Sequence, residues 1–107
     1  MHNETNGRQD RLLSSLGLCV RAGKVIFGVP MICEALRRGT PRLVLEAVDT
    51  SDGTHKKITD KCTHYGVECI RLACDGATLA AALGKSAVLA AVAVTDDRMA
   101  EMVRQYL

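Results

Sequence analysis

One stretch, Gly28 to Asp49 (GVPMICEALRRGTPRLVLEAVD), constrains the fold more than any other part of the chain. Pro30 suits the first turn of a helix, where its missing N–H would have had no intrahelical partner. Ile32, Ala35 and Leu36 recur at helical spacing and mark a buried stripe, with Glu34, Arg37 and Arg38 outside it. Gly39 can take the left-handed conformation that ends a helix, and Pro41 blocks its continuation. The run that begins Leu43-Val44-Leu45 is too continuously apolar for a sheet with one wet face, so it predicts a strand covered on both sides. A helix with a basic last turn therefore feeds a buried strand. The other end of that helix presents free N–H groups, a setting that attracts anions, phosphate among them.

The rest of the chain extends this alternation. Residues 1–8 read as a disordered tail and residues 9–107 as a single domain. Leu12, Leu13, Leu16, Cys19 and Val20 predict a first helix from Gln9 to Arg21 that stops at Gly23. Lys24 to Phe27 reads as a short strand or extended connection. Asp49 to Asp52 offers N-caps for a third helix whose inner stripe would be Ile58, Cys62 and Tyr65. Val67 to Leu72 predicts a strand near an edge. Asp75 caps a short Ala-rich helix closed by Gly84, and Ala87 to Val94 reads as a central strand. Thr95 or Asp96 caps a last helix on which Met99, Met102, Val103 and Tyr106 pack. Helix and strand thus alternate from end to end, which argues for a sheet between helical layers.

Charge is distributed unevenly. Up to Arg42, seven Lys and Arg stand against three acids, and beyond it seven stand against nine. A net charge of +2 is too small to establish a nucleic-acid partner, but the asymmetry predicts one basic face. No apolar run reaches the ~20 residues of a membrane span, and the polar start lacks a signal-peptide core. A cytoplasmic protein with no membrane partner is expected. The five cysteines, Cys19, Cys33, Cys62, Cys69 and Cys74, are odd in number and form no C-x-x-C pair. They read as reduced thiols serving as small hydrophobes, with no metal site.

The residues capable of chemistry do not assemble into a catalytic set. Gly84-Lys85-Ser86 resembles the end of a phosphate-binding loop, but Leu79 stands where that loop needs its first glycine. Asp96-Asp97 reads as a helix cap answering the dipole. His55 and His64 have no serine or cysteine constellation around them. No enzyme and no cofactor are expected. What remains is a basic set, Arg21, Lys24, Arg37, Arg38 and Lys85, suited to phosphate contacts. With a single Phe and no Trp, a stacking platform for single strands is disfavoured and structured RNA fits better.

The segments LLSSLGLCVRAGK, EALRRGTPRLVLEAVD, KKITDKCTHYGV and LGKSAVLAAVAVTD, with Gly28 between the first two, closely resemble the bacterial YlxQ-like branch of the ribosomal L7Ae superfamily. The resemblance runs from Leu12 to Asp97. It implies a three-layer α/β/α sandwich around a mixed four-stranded sheet, and a non-enzymatic protein that binds kink-turn RNA. In that superfamily a Gly-x-Asn-Glu helix start and a following Lys contact sheared G·A pairs, and an apolar loop before the last strand covers a flipped-out nucleotide. On this chain the glycine is Gly28, while Pro30, Met31 and Glu34 occupy the asparagine, glutamate and lysine positions. The loop corresponds to Lys85, Ser86 and Ala87, then Val88 and Leu89. Good bidentate base contacts contribute about 1–3 kcal/mol each in DNA readout, so the loss of such readers bears directly on affinity.

The expected RNA-contacting set is Lys24, Gly28, Val29, Pro30, Met31, Glu34, Arg37, Arg38, Lys85, Ser86, Ala87 and Leu89. The partner would be a kink-turn or ribosomal RNA, on a monomeric protein that meets the ribosome or other translation-machinery proteins. The alternative is a protein-interaction module on the same scaffold, with Val29, Met31 and Leu89 as its apolar patch.

Overall fold

The structure, a computed structural model, describes residues 4–107. Nine elements follow one another: α1 (Glu4–Arg21), β1 (Val25–Phe27), α2 (Val29–Arg38), β2 (Leu43–Glu46), α3 (Asp52–Tyr65), β3 (Cys69–Arg71), α4 (Gly76–Ala82), β4 (Ala91–Val94) and α5 (Asp97–Arg104). The α/β alternation read from the sequence is the order observed. Helix α1 starts at Glu4, five residues before Gln9, so residues 4–8 are helical where a tail was expected. The remainder of that expected tail, residues 1–3, lies outside the described residues. No helix among the described residues is long and apolar enough to cross a membrane.

The sheet order is β1-β4-β2-β3. Strand β4 runs antiparallel to both β1 and β2, and β2 runs parallel to β3. The sheet is therefore mixed, and β4 and β2 are its two central strands. Both are buried along their whole length, as the apolar residues of β4 and Leu43-Val44-Leu45 of β2 require.

Side chains alternate across the sheet and make two cores. On one face Leu43, Leu45, Val92 and Val94 pack against Leu12 and Leu16 of α1, Leu79 of α4 and Val103 of α5. On the other, Val44, Ala91 and Ala93 meet Ile32 and Leu36 of α2 and Ile58 and Cys62 of α3. Alanines at 91 and 93 leave room for the larger α2 side chains, and full burial of Ile32 or Leu36 contributes about 1.5–3 kcal/mol each. The result is a three-layer sandwich. Tyr65, expected on the inner stripe of α3, is instead 38% exposed. It is the last helical residue, where α3 turns at Gly66, and it stands edge-on to His64.

Strand β4 is shorter than the sequence suggested, beginning at Ala91 rather than Ala87. The preceding residues bond to neighbouring loops instead of a ladder. Leu89 N–H donates to Gly76 O, and Ala90 O accepts from Ala47 N–H and Thr50 Oγ1. Strand β3 is likewise trimmed at both ends of the expected Val67–Leu72.

One buried acid has no apolar counterpart in this scheme. Glu46, at the end of β2, is 1% exposed, and both its oxygens lie 2.7–2.8 Å from His55 Nδ1 on α3. A buried carboxylate left without its partner costs about 1–3 kcal/mol or more. His55→Ala should therefore destabilise the protein by about 2 kcal/mol in urea unfolding. The double variant Glu46→Leu/His55→Leu should lose less than that single change, because no polar group is stranded.

Candidate RNA interface

Strand directions divide the molecule into two poles. β1, β2 and β3 end where β4 begins, so α2, α3 and α4 all start at that pole. The starts of α3 and α4 are closed by their own side chains. Ser51 Oγ accepts from Thr54 N–H, and Asp75 Oδ1 accepts from Thr78 N–H at 2.7 Å. That second bond holds the Asp75 carboxyl below the ordinary carboxylate range. The start of α2 is different. Its N-cap is Gly28, at φ 87°, with no side-chain acceptor and no acid in the first turn. A side chain at this φ is strained, which explains the glycine. Ile32 N–H is satisfied by Gly28 O, and Pro30 has no N–H, so Val29 and Met31 carry the donors that the first turn leaves over. Met31 is 61% exposed there.

The loop from Lys85 to Ala90 stands beside this helix start. Gly28 N–H donates to Ala91 O, and Lys85 Nζ lies 4.2 Å above the Phe27 ring. Lys85, Ser86, Ala87 and Val88 are exposed, Val88 to 68%. Leu89, expected at the surface, is buried in the core, so Val88 is the apolar side chain that the loop presents. The structure thus brings Gly28, Val29, Pro30 and Met31 together with Lys85, Ser86 and Ala87.

It does not bring the other expected residues to the same place. α2 is ten residues long, about 15 Å at the usual helical rise, and Arg37 and Arg38 lie on its last turn at the opposite pole. Lys24 precedes β1 and is at that opposite pole too, since its carbonyl accepts from Thr95 N–H just beyond β4. Glu34 stands between the two ends of α2. Its carboxylate takes Arg37 Nη2 at 2.7 and 2.8 Å and Arg38 Nη2 at 3.3 Å. The Arg37 hydrogen bond holds the Glu34 carboxyl below the ordinary range. The single continuous cationic surface expected from the sequence is in fact divided.

Three residues outside the expected set shape this site. Asp49 Oδ1 accepts from Gly76 N–H at 2.9 Å, and Gly76 O accepts from Leu89 N–H. A Cβ at Gly76 would come within 2.6 Å of Leu89 O and 2.7 Å of Val88 Cγ1. Gly76 therefore lets the loop close onto α4, and its sequence context of DGAT gave only a helix start. Arg71 donates to Val48 O and Thr50 O, fixing the β2–α3 loop at the same pole.

Cys19, Cys74, Cys62 and Cys69 pack in or against the two cores. Burial pushes the Cys19 and Cys74 thiols up, and contact with Cys62 followed by burial pushes Cys69 up. All five cysteines are free. Among the described residues, no three His, Cys, Asp or Glu side chains are placed to share a metal ion. Asp96 caps α5 through Met99 N–H.

Gly76→Ala should push the 85–90 loop outward and cost about 1–3 kcal/mol of stability through overpacking. Faster amide exchange at Leu89, with little change in the α2 and α3 amides, is the measurement that checks it.

The profile of the "Ribosomal protein L7Ae/L30e/S12e/Gadd45 family" matches residues 10–103. The chain is 40% identical over 85 residues to "RNA-binding protein YlxQ" of Bacillus subtilis (strain 168), a match spanning 79% of this chain and 83% of that protein. It is 35% identical over 66 residues to the protein of the same name from Enterococcus faecium, spanning 62% of this chain and 64% of that one. A solved structure of a Bacillus halodurans protein with unknown function superposes with a TM-score of 0.82 at 27% identity, covering 90% of this chain and 95% of that one. The Giardia lamblia 15.5kD RNA binding protein shares the fold, with a TM-score of 0.74 at 16% identity over 99% of this chain and 87% of that one.

Proposed function

The chain belongs to the ribosomal protein L7Ae/L30e/S12e/Gadd45 family, and from that premise we propose that it binds structured RNA, without catalysis, through the pole where α2 begins. The observation that carries the reading is the pairing of an α2 start free of side-chain caps and acids with a loop that offers Lys85 and Val88. Helix N–H groups and a nearby ammonium suit a phosphate, and the exposed Met31 and Val88 offer apolar contact to a nucleotide turned out of its stack. The RNA-binding names of the 40% and 35% identical relatives support the same reading.

The chemistry of the α2 start defines what kind of RNA suits it. Pro30 and Met31 provide no side-chain hydrogen bonds to base edges, and Glu34 is already spent on two arginines. Recognition therefore rests on shape and backbone, as in a bent or kink-turn-like junction, rather than on reading individual bases. A folded segment of ribosomal RNA in the cytoplasm is a target of this class. The competing reading, a protein-binding surface, draws on the exposure of Met31 and Val88.

A gel shift against a kink-turn hairpin and a plain duplex of equal length tests both readings. The parent should prefer the kink-turn, and Met31→Glu or Lys85→Glu should each weaken that complex about tenfold through repulsion at the phosphates. No binding of the parent to either RNA would favour the protein-binding surface. Parental affinity in both variants would remove this pole from the RNA contact.

A further inference from the structure

The arginines that the fold carries away from the α2 start line a hollow of their own. At the opposite pole, Leu36, Arg37, Arg38 and Gly39 from the end of α2, Pro41 and Arg42 from the connection to β2, and Tyr65 to Val67 from the end of α3 enclose about 460 Å³. Three arginines are among the residues that line it, and none of those residues is acidic. Acids touch these arginines from outside: Glu34 holds Arg37 and Arg38, and Asp97 approaches Arg42 Nε at 3.4 Å. These contacts leave donors over. Glu34 engages only Nη2 of Arg37 and of Arg38, so each keeps further N–H groups for a second acceptor. The side chains of Arg37 and Arg38 are 65% and 73% exposed, and exposed ion pairs are weak because water competes for them. An incoming phosphate meets the same guanidiniums with bidentate geometry available. The exposed Tyr65 ring, held edge-on by His64 at 4.7 Å, adds a flat apolar surface for a ribose or a base.

We infer that this hollow is a second, sequence-independent contact for the phosphate backbone of RNA, about 15 Å along α2 from the first. The inference rests on the RNA-binding reading above and adds a separate place of contact to it. Two contacts at the two ends of one helix would let an RNA that docks at Gly28 continue along α2 to the three guanidiniums. Glu34, midway and bonded to both Arg37 and Arg38, sets how much cationic charge the hollow exposes.

Filter binding of the kink-turn hairpin across a salt series tests it. Arg38→Ala/Arg42→Ala, taken from two walls of the hollow, should weaken binding about tenfold. The same change should flatten the log–log salt slope by between about one and two, the loss expected for two phosphate contacts. Arg8→Ala/Arg11→Ala removes the same charge from α1 in the other layer and should change both far less. Glu34→Gln releases two arginines without deleting them and should tighten binding severalfold. The same charge change in Asp60→Asn, on α3 outside the hollow, should have a smaller effect. If the two arginine pairs behave alike, or if Glu34→Gln binds no more tightly than Asp60→Asn, the second contact is overturned and the first stands. If the parent binds no RNA, both are overturned.

Discussion

Strand β4 determines what every other element can do. It pairs antiparallel with β1 from Val92 to Val94 on one side and with β2 from Ala91 to Val94 on the other. That double pairing sends the ends of β1 and β2, and with them the parallel β3, to a common pole. Each following helix must then start at that pole and return to the other. The small side chains of Ala91 and Ala93 are part of the same constraint, because they let α2 lie close over β4 with Ile32 and Leu36 fully buried. A larger residue at either position would lift α2, and the position of Gly28 beside Ala91 would be lost with it.

The two poles are consequently unlike in their electrostatics. Starts of helices offer N–H groups and ends offer carbonyls, so acids suit the first and cations the second. The chain follows this rule at α3 and α4, where Ser51, Asp52 and Asp75 occupy the starts, and at the end of α2, where Arg37 and Arg38 lie. It departs from the rule at the start of α2. There a glycine, a valine, a proline and a methionine leave the positive end of the helix without a side-chain answer. Such a gap within an otherwise consistent scheme is what draws attention to that end as a binding place. The arginines at the other end have a structural reason to be present, and their spare donors are what the proposed second contact rests on.

Much of this was legible in the sequence because local chemistry decides it. Gly39 adopts φ 77° and ends α2 as its position before Pro41 predicts, and Asp75 and Asp96 cap the helices that follow them. The fully buried strands announced themselves by the apolar residues Leu43-Val44-Leu45 and Ala91 to Val94. What the sequence left hidden depends on pairing between distant segments. The basic residues up to Arg42 read as one face because they are near in sequence, yet strand order puts Lys24, Arg37 and Arg38 at the pole opposite Gly28. Ala87 to Ala90 read as strand because their composition matches Ala91 to Val94. Their hydrogen bonds to Ala47, Thr50 and Gly76 come from elements far away in the chain. Nothing in the sequence marks Glu46 as special, and only the register of α3 over β2 supplies His55 as its partner.

On the proposed reading, Pro30 and Met31 would lower affinity by removing base contacts and would cost specificity more than the ability to hold a phosphate. A base edge is recognised by side-chain donors and acceptors held in a fixed plane, and Pro30 and Met31 provide neither. A phosphate is recognised by charge and by N–H groups, which the backbone of α2 and Lys85 still supply. Pro30 also narrows the backbone's freedom before any ligand arrives, so the first turn is ordered without a cap. Met31 is flexible and polarisable, suited to surfaces that differ in detail. An interface built from a rigid backbone, one mobile thioether and a lysine held over an aromatic ring would accept a shape and tolerate variation in sequence. Discrimination among RNAs would then come from how far each can bend to reach more than one cationic contact, a property of the RNA's own deformability rather than of any single base.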